Sequence, residues 1–228
     1  MDSFEKLILE LTKEINGQYP RPWMTDSIYP ETAKVFIVGY NPASAYPVKN
    51  VDHNRHIDAL FNRNGEQCRK FYSEVTQQSP TRTNIEWFSQ KLVRAGITGI
   101  LETNVVCYGA KKKKYLSLPG HRGGRERGIE IFRLLVKTIK PKAIILHGAG
   151  VRDEFARNYR DVEIPKPPSS EDQYVTVSLN SDTEIFVIPS LALPGFQNWP
   201  SRPLSAFCNW ADGYLDQVAK KVATLCAS

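Results

Sequence analysis

Three short apolar runs constrain the fold of this 228-residue chain more than any other feature. Residues 34–38 read K-V-F-I-V and stop at Gly39. Residues 100–106 read I-L-E-T-N-V-V. Residues 143–146 read A-I-I-L and stop at His147-Gly148. Runs this short, bounded by turn residues, predict buried strands. Helical patterns separate them. Phe4, Leu7, Ile8, Leu11 and Ile15 share one helical face, behind a capping-box-like Asp2 and Glu5. Ile57, Leu60, Phe61, Cys68, Phe71, Tyr72 and Val75 predict a helix broken near Asn64-Gly65, and residues 85–93 predict another. Ile129, Phe132, Leu135, Val136 and Ile139 predict a helix that ends at Pro141, and a further helix is expected from Val151. Residues 174–179 and 184–188 are strand candidates. Residues 19–30 and 161–172 read as irregular connections. Leu204, Phe207, Cys208, Ala211, Leu215, Val218, Val222 and Leu225 predict a long last helix, with Pro203 at its first turn.

Strands alternating with helices imply an α/β fold with a mainly parallel sheet covered on both faces. No internal repeat or long linker divides residues 1–228, so a single domain is expected. Ligands in such sheets bind beyond the carboxyl ends of the strands. The segments after Gly39, Val106, His147 and Ile188 are therefore where chemistry is sought.

Composition narrows the class. Hydrophobic residues make up 41% and charged residues 24%, which excludes whole-chain disorder. No apolar run reaches the roughly 18–20 residues of a membrane span, and the acidic opening Met-Asp-Ser-Phe-Glu lacks a signal-like apolar region. A cytoplasmic protein with reduced thiols is expected. Cys68, Cys107, Cys208 and Cys226 form no C-x-x-C pair, so a cysteine-built zinc or iron–sulfur site is not expected. His53 and His56 share a helical spacing but lack a third metal ligand. Trp23, Trp87 and Trp210 read as core. No phosphate loop, nucleophile elbow or dinucleotide fingerprint is present, and no cofactor is expected.

The net charge of +6 has one source. Residues 110–128 hold Lys111, Lys112, Lys113, Lys114, Arg122, Arg125 and Arg127 against Glu126 alone; the rest of the chain is balanced. Cations on a glycine-rich, loop-like stretch suit a phosphate backbone, because neutralising phosphates releases counterions. The same run also suits a solvated surface loop or a localisation-type basic run.

Three segments carry candidate chemistry. In Gly39-Tyr40-Asn41-Pro42-Ala43-Ser44, the glycine lets the chain leave its strand and the proline stiffens the turn behind Asn41. An amide held there can fix a water, and as a weak base it suits a reaction whose leaving group departs first. The plain alternative is an Asn-Pro turn. In Thr103-Asn104-Val105-Val106, Asn104 is a polar residue in an apolar strand. Its amide offers the donor and acceptor that a pyrimidine edge requires, or satisfies a neighbouring loop. In residues 188–200, I-P-S-L-A-L-P-G-F-Q-N-W-P, aliphatic and aromatic residues follow a strand among prolines and a glycine. Such a loop can wedge a base stack, or pack against itself.

In this order and spacing the three segments resemble the uracil-DNA glycosylase superfamily. The first is similar to its water-activating Gly-x-Asn-Pro motif, the second to its base-reading Asn strand, and the third to its intercalation loop, usually His-Pro-Ser. Residues 143–149 resemble the glycine-terminated strand between the last two. The resemblance covers roughly residues 34–199. It implies a three-layer α/β/α sandwich and hydrolysis of an N-glycosidic bond in DNA after base flipping, leaving an abasic site. Asn41 would orient the water. Tyr40, Asn104 and His53 would contact the flipped base, with Tyr46 and Phe61 as other candidates for the stacking platform. Ser190 would contact phosphate along with Ser44, Lys111, Lys112, Lys113, Lys114, Arg122 and Arg125. Leu191 or Leu193 would fill the vacated space. His121, in the basic stretch, serves DNA contact or nothing, and His147, after its strand, borders the pocket or is a satisfied structural histidine.

Two departures bear on the substrate. Ile188 stands where the family carries the histidine that stabilises charge on uracil O2. The residues behind Asn41-Pro42, Ala43 and Ser44, are small. Both favour a bulkier modified pyrimidine, as in the superfamily's phage-defence enzymes that remove glucosylated hydroxymethylcytosine. The lysines cluster in one exposed run, which favours a hydrolase without a Schiff-base step. The rival expectations are a repair enzyme for uracil or another deaminated base, and a DNA-binding module without activity. DNA is the expected partner, with no membrane and no obligatory protein.

Overall fold

The computed structural model of the protein describes residues 3–76, 80–170, 175–192 and 206–227. In chain order its elements are α1 Ser3–Leu11, β1 Gln18–Tyr19, β2 Val35–Gly39, β3 Tyr46–Pro47, α2 His53–Leu60, α3 Cys68–Val75, α4 Pro80–Arg94, β4 Ile100–Asn104, α5 Gly124–Ile139, β5 Ala143–His147, α6 Ala149–Asn158, β6 Thr176–Ser178, β7 Glu184–Ile188 and α7 Ala206–Ala227. The main sheet runs in the order β4-β2-β5-β7-β6, and β1 pairs with β3 in a separate two-stranded ribbon. The fold is α/β: a five-stranded, mainly parallel sheet with helices around it, a three-layer sandwich. Among the described residues no helix is long and apolar enough to cross a membrane.

The chain forms two compact units that interleave along the sequence. One comprises Met1–Ala33, Gly39–Gln77 and Leu101–Lys140; the other comprises Lys34–Val38, Gln78–Ile100 and Pro141–Ser228.

The second unit holds the parallel strands. Val35 lies opposite Ala143, and Ala143 opposite Glu184; Ile37 lies opposite Ile145, and Ile145 opposite Phe186. β6 closes this edge antiparallel to β7. Side chains alternate across a sheet, so Val35, Ile37, Ala143, Ile145, Phe186 and Ile188 share one face. They pack with Phe88 and Leu92 of α4 and with Ala211, Leu215, Val218 and Val222 of α7. Those α7 residues recur at three and four positions, which explains why a helix forms where the sequence places one. Lys91 of α4 reaches Asp212 at 2.7 Å and Asp216 at 2.8 Å on α7.

The first unit carries the helix break expected at Asn64-Gly65. α2 and α3 are separate, and Asn62, Asn64 and Gly65 all take positive φ between them (48°, 53° and 83°). Asp52 caps α2 by accepting the Arg55 N–H at 2.8 Å. β4 stops at Asn104, two residues short of the predicted run. The larger correction concerns the basic stretch, read as a flexible loop. Lys113–Ser117 and Pro119–His121 are short 3-10 helices, and Gly124 already begins α5. The cause is local packing: Leu116 is buried with Val106, Tyr108, Ala110 and Ile129.

Candidate functional site

The first unit brings Asn41 and Asn104 onto adjoining segments. The Val105 N–H donates to the Gly39 carbonyl and the Val106 N–H to the Tyr40 carbonyl, both at 2.9 Å. The chain leaving β4 is thereby stitched to the chain leaving β2. Asn104 is half-buried, the last residue of β4, and its side chain has no hydrogen bond among the described residues.

Asn41 is the best-defined side chain of the site. Its Nδ2 donates to the Pro42 carbonyl at 2.8 Å and to the Ala110 carbonyl at 2.7 Å. The Ala110 N–H returns a bond to the Pro42 carbonyl at 2.9 Å. Both amide protons are therefore spent on the backbone. The amide cannot be turned over, because Oδ1 would then face two carbonyl oxygens. Oδ1 remains the acceptor without a bond among the described residues, on a half-buried residue. Behind it the backbone packs closely. A Cβ on Gly109 would lie 2.8 Å from Ala45 Cα and 2.7 Å from Gln18 Oε1. Glycine is needed there for the approach of two chains.

The Asn41 clip also fixes where the cations begin, since Lys111 follows Ala110 directly. Lys111, Lys112, Lys113, Lys114 and Arg122 are exposed, and Arg125 is half-buried. The Lys113 ammonium stands 4.5 Å from the centre of the Tyr40 ring, a cation–π contact beside Asn41. Ser44 is half-buried on the same loop as Asn41.

His53 stacks on Tyr19 with centroids 4.8 Å apart and reaches the Thr12 hydroxyl at 3.2 Å through Nε2. Phe61 is buried against Trp23 and Phe4, which removes it as a stacking platform. Tyr46 is also buried and belongs to a cluster that sequence reasoning missed. Arg21 lies between the Tyr46 and Tyr72 rings, at 5.0 and 4.9 Å. It is only 8% exposed, has no carboxylate partner among the described residues, and leaves Nη1 unsatisfied. Burial pushes the Tyr46 phenol up to about 12, with the Arg21 charge opposing. A Pro-flanked arginine gives no sequence signal of burial.

His56 completes this cluster rather than a metal site. It is buried, its Nε2 lies 3.1 Å from the Pro20 carbonyl and its Nδ1 has no partner among the described residues. No group of three or more His, Cys, Asp or Glu able to hold a metal occurs among the described residues. Cys68 and Cys107 are buried, and desolvation pushes both thiols up to about 12.

The second unit holds the remaining candidates. Ser190 is half-buried and its Oγ accepts the Ala192 N–H at 3.1 Å, leaving the hydroxyl proton to donate. Leu191 does not serve as a wedge as placed. It is fully buried in the core of its unit, and its carbonyl accepts Asn84 Nδ2 at 2.9 Å. Leu193, with Trp199, lies outside the described residues. Ile188 is fully buried in the core of its unit. His147 is buried, and neither ring nitrogen has a hydrogen-bond partner among the described residues.

Burial, reinforced by Arg21 and His53, pushes the His56 imidazole down to about 3; burial and Arg82 push His147 down to about 4. Both rings are neutral in the fold, whereas the unfolded chain takes up protons below its ordinary pKa near 6.5. Stability is therefore lost as pH falls through this window, by about 2 kcal/mol per histidine between pH 6.5 and 5. Urea midpoints measured at pH 7 and 5 should fall accordingly, and less so in His147→Phe. A pH-independent midpoint would contradict neutral burial.

No family model matches the chain, and a search of curated proteins finds no match either.

Proposed function

We propose that this chain is a DNA glycosylase acting on a flipped, modified pyrimidine, with a bulky cytosine such as glucosylated hydroxymethylcytosine as the best-suited base. The observation that carries the reading is the Asn41 side chain, whose nitrogen is anchored to two carbonyls so that Oδ1 is the acceptor left without a bond among the described residues. An acceptor fixed in this way orients a water without deprotonating it. That suits a reaction in which the C1′–N1 bond breaks first and its electron pair leaves with the base. The water oxygen then bonds to C1′ of the oxocarbenium-like sugar and sheds a proton to solvent. The base takes up a proton, so one water is consumed and an abasic sugar and free base result. Preorganised position and electrostatics supply most of the catalysis.

Asn104 presents a donor and an acceptor to the base edge beside this water. The exposed cations after Ala110 meet the phosphates. Base extrusion is required because C1′ and the base edge are inaccessible inside a stack. The small Ala43 and Ser44 favour a base larger than uracil. Lys91 is the buried lysine among the described residues, and two carboxylates hold it. Among the described residues no free buried amine is offered for a Schiff base, which favours hydrolysis alone.

Mass spectrometry of bases released from duplexes containing glucosylated hydroxymethylcytosine or uracil tests this reading. Release of the glucosylated base is expected. Release from uracil DNA alone would overturn the choice of base, and release from neither would overturn the enzyme.

A further inference from the structure

We infer that the segment 111–125 is a preformed surface for double-stranded DNA and that Leu118 is its wedge, the side chain that enters the base stack. Its purpose rests on the glycosylase reading above, but its geometry does not. Among the described residues the exposed large apolar side chains are Leu7, Ile28, Tyr29, Val48, Val93 and Leu118. Leu118 alone lies inside the basic stretch, 48% exposed, with Lys111, Lys112, Lys113, Lys114 and Arg122 exposed around it in sequence and no acidic residue before Glu126.

The leucine is held, not dangling. It joins two 3-10 helices: its N–H donates to the Tyr115 carbonyl at 3.0 Å and its carbonyl accepts the His121 N–H at 2.9 Å. Both flanks are anchored. Leu116 is buried in the core of its unit, His121 Nδ1 lies 3.3 Å from the Tyr108 hydroxyl, and Asn16 Nδ2 donates to the Arg122 carbonyl at 3.0 Å. An apolar tip fixed among cations has little entropy left to lose on insertion, and phosphate contacts would hold the duplex against it.

Aliphatic wedges unstack and kink duplexes, whereas single strands are gripped by exposed aromatic faces. This segment fits the first pattern. Its aromatic, Tyr115, is half-buried against the core with the Lys114 ammonium 5.8 Å from its ring. The burial of Leu191 removes one of the two leucines first expected as the wedge.

The test uses the full chain, Leu118→Ala and Leu118→Met, with a duplex carrying a fluorescent adenine analogue beside the target base. Wild type should brighten the analogue on binding, Leu118→Ala about tenfold less per bound complex, and Leu118→Met nearly as wild type. Anisotropy should give Leu118→Ala an unchanged salt dependence, because no charge is lost. Its base release should fall on duplex but not on single-stranded substrate. Equal brightening by Leu118→Ala, an equal loss on both substrates, or no duplex binding by wild type would overturn the inference. Leu118-dependent brightening without base release would sink the glycosylase reading and leave the wedge standing. Base release with an unaffected Leu118→Ala would do the reverse.

Discussion

Asn41→Ala is expected to slow base release by about a thousandfold, roughly 4 kcal/mol of transition-state stabilisation. The side chain has two separable tasks. Oδ1 would hold the water, and Nδ2 ties Pro42 to Ala110. Loss of the tie costs stability, but modestly: the residue is half-buried, so water can replace the donors, and about 1–2 kcal/mol is the scale for such bonds. A drop in melting temperature of a few degrees with near-wild-type duplex affinity is the expected companion. Single-turnover rates, melting curves and anisotropy on one preparation separate the two effects. A rate within a few-fold of wild type would remove Asn41 from the chemistry.

The largest structural effect is expected from Gly124→Ala at the start of α5. Alanine for glycine in a helix is ordinarily worth up to about 1 kcal/mol in its favour. Here a Cβ would fall 2.6 Å from two ring carbons of Tyr108. The ring has no room to step aside. It is fully buried, and its hydroxyl meets Asn16 Nδ2 and His121 Nδ1, each at 3.3 Å. Overpacking of this kind costs about 3 kcal/mol, so the clash outweighs the propensity gain by about 2 kcal/mol. Urea denaturation should show that loss. In a Tyr108→Val background the same substitution should become neutral or stabilising. A destabilisation that persists without the ring would place the cause elsewhere.

Much of the fold was legible because its elements obey simple periods. The strands at Val35–Gly39, Ala143–His147 and Glu184–Ile188 are buried runs, and α5 and α7 carry helical stripes whose faces are buried as the spacing requires. Asn64-Gly65 marked a break because those residues tolerate positive φ. β1 and β3 gave no such signal; at two residues each, they have no period to read.

The candidate site was legible as residue types at strand ends, but not as geometry. Nothing in the sequence links Asn41 to the carbonyl of Ala110, sixty-nine positions away, because a backbone acceptor has no residue signature. Gly109 was the available hint, as glycine often marks where two chains must approach. The basic stretch misled for a related reason. Glycine and lysine read as flexible, while the buried Leu116 and Tyr108 that order the segment look unremarkable in a list. Leu191 illustrates the converse: a leucine among prolines after a strand suits a wedge in sequence, yet it packs where the sheet and α7 leave an apolar space.

The central claim is that a water held by the Asn41 amide replaces the base at C1′, and heavy-oxygen water tests it most directly. Wild type acting on a duplex with glucosylated hydroxymethylcytosine, in water enriched in oxygen-18, should release unlabelled base and leave one heavy oxygen at C1′ of each abasic site. The sugar should be trapped by reduction before it exchanges with solvent, and Asn41→Ala should give almost no product in the same time. An intact duplex after prolonged incubation, or equal labelled product from Asn41→Ala, would contradict the account.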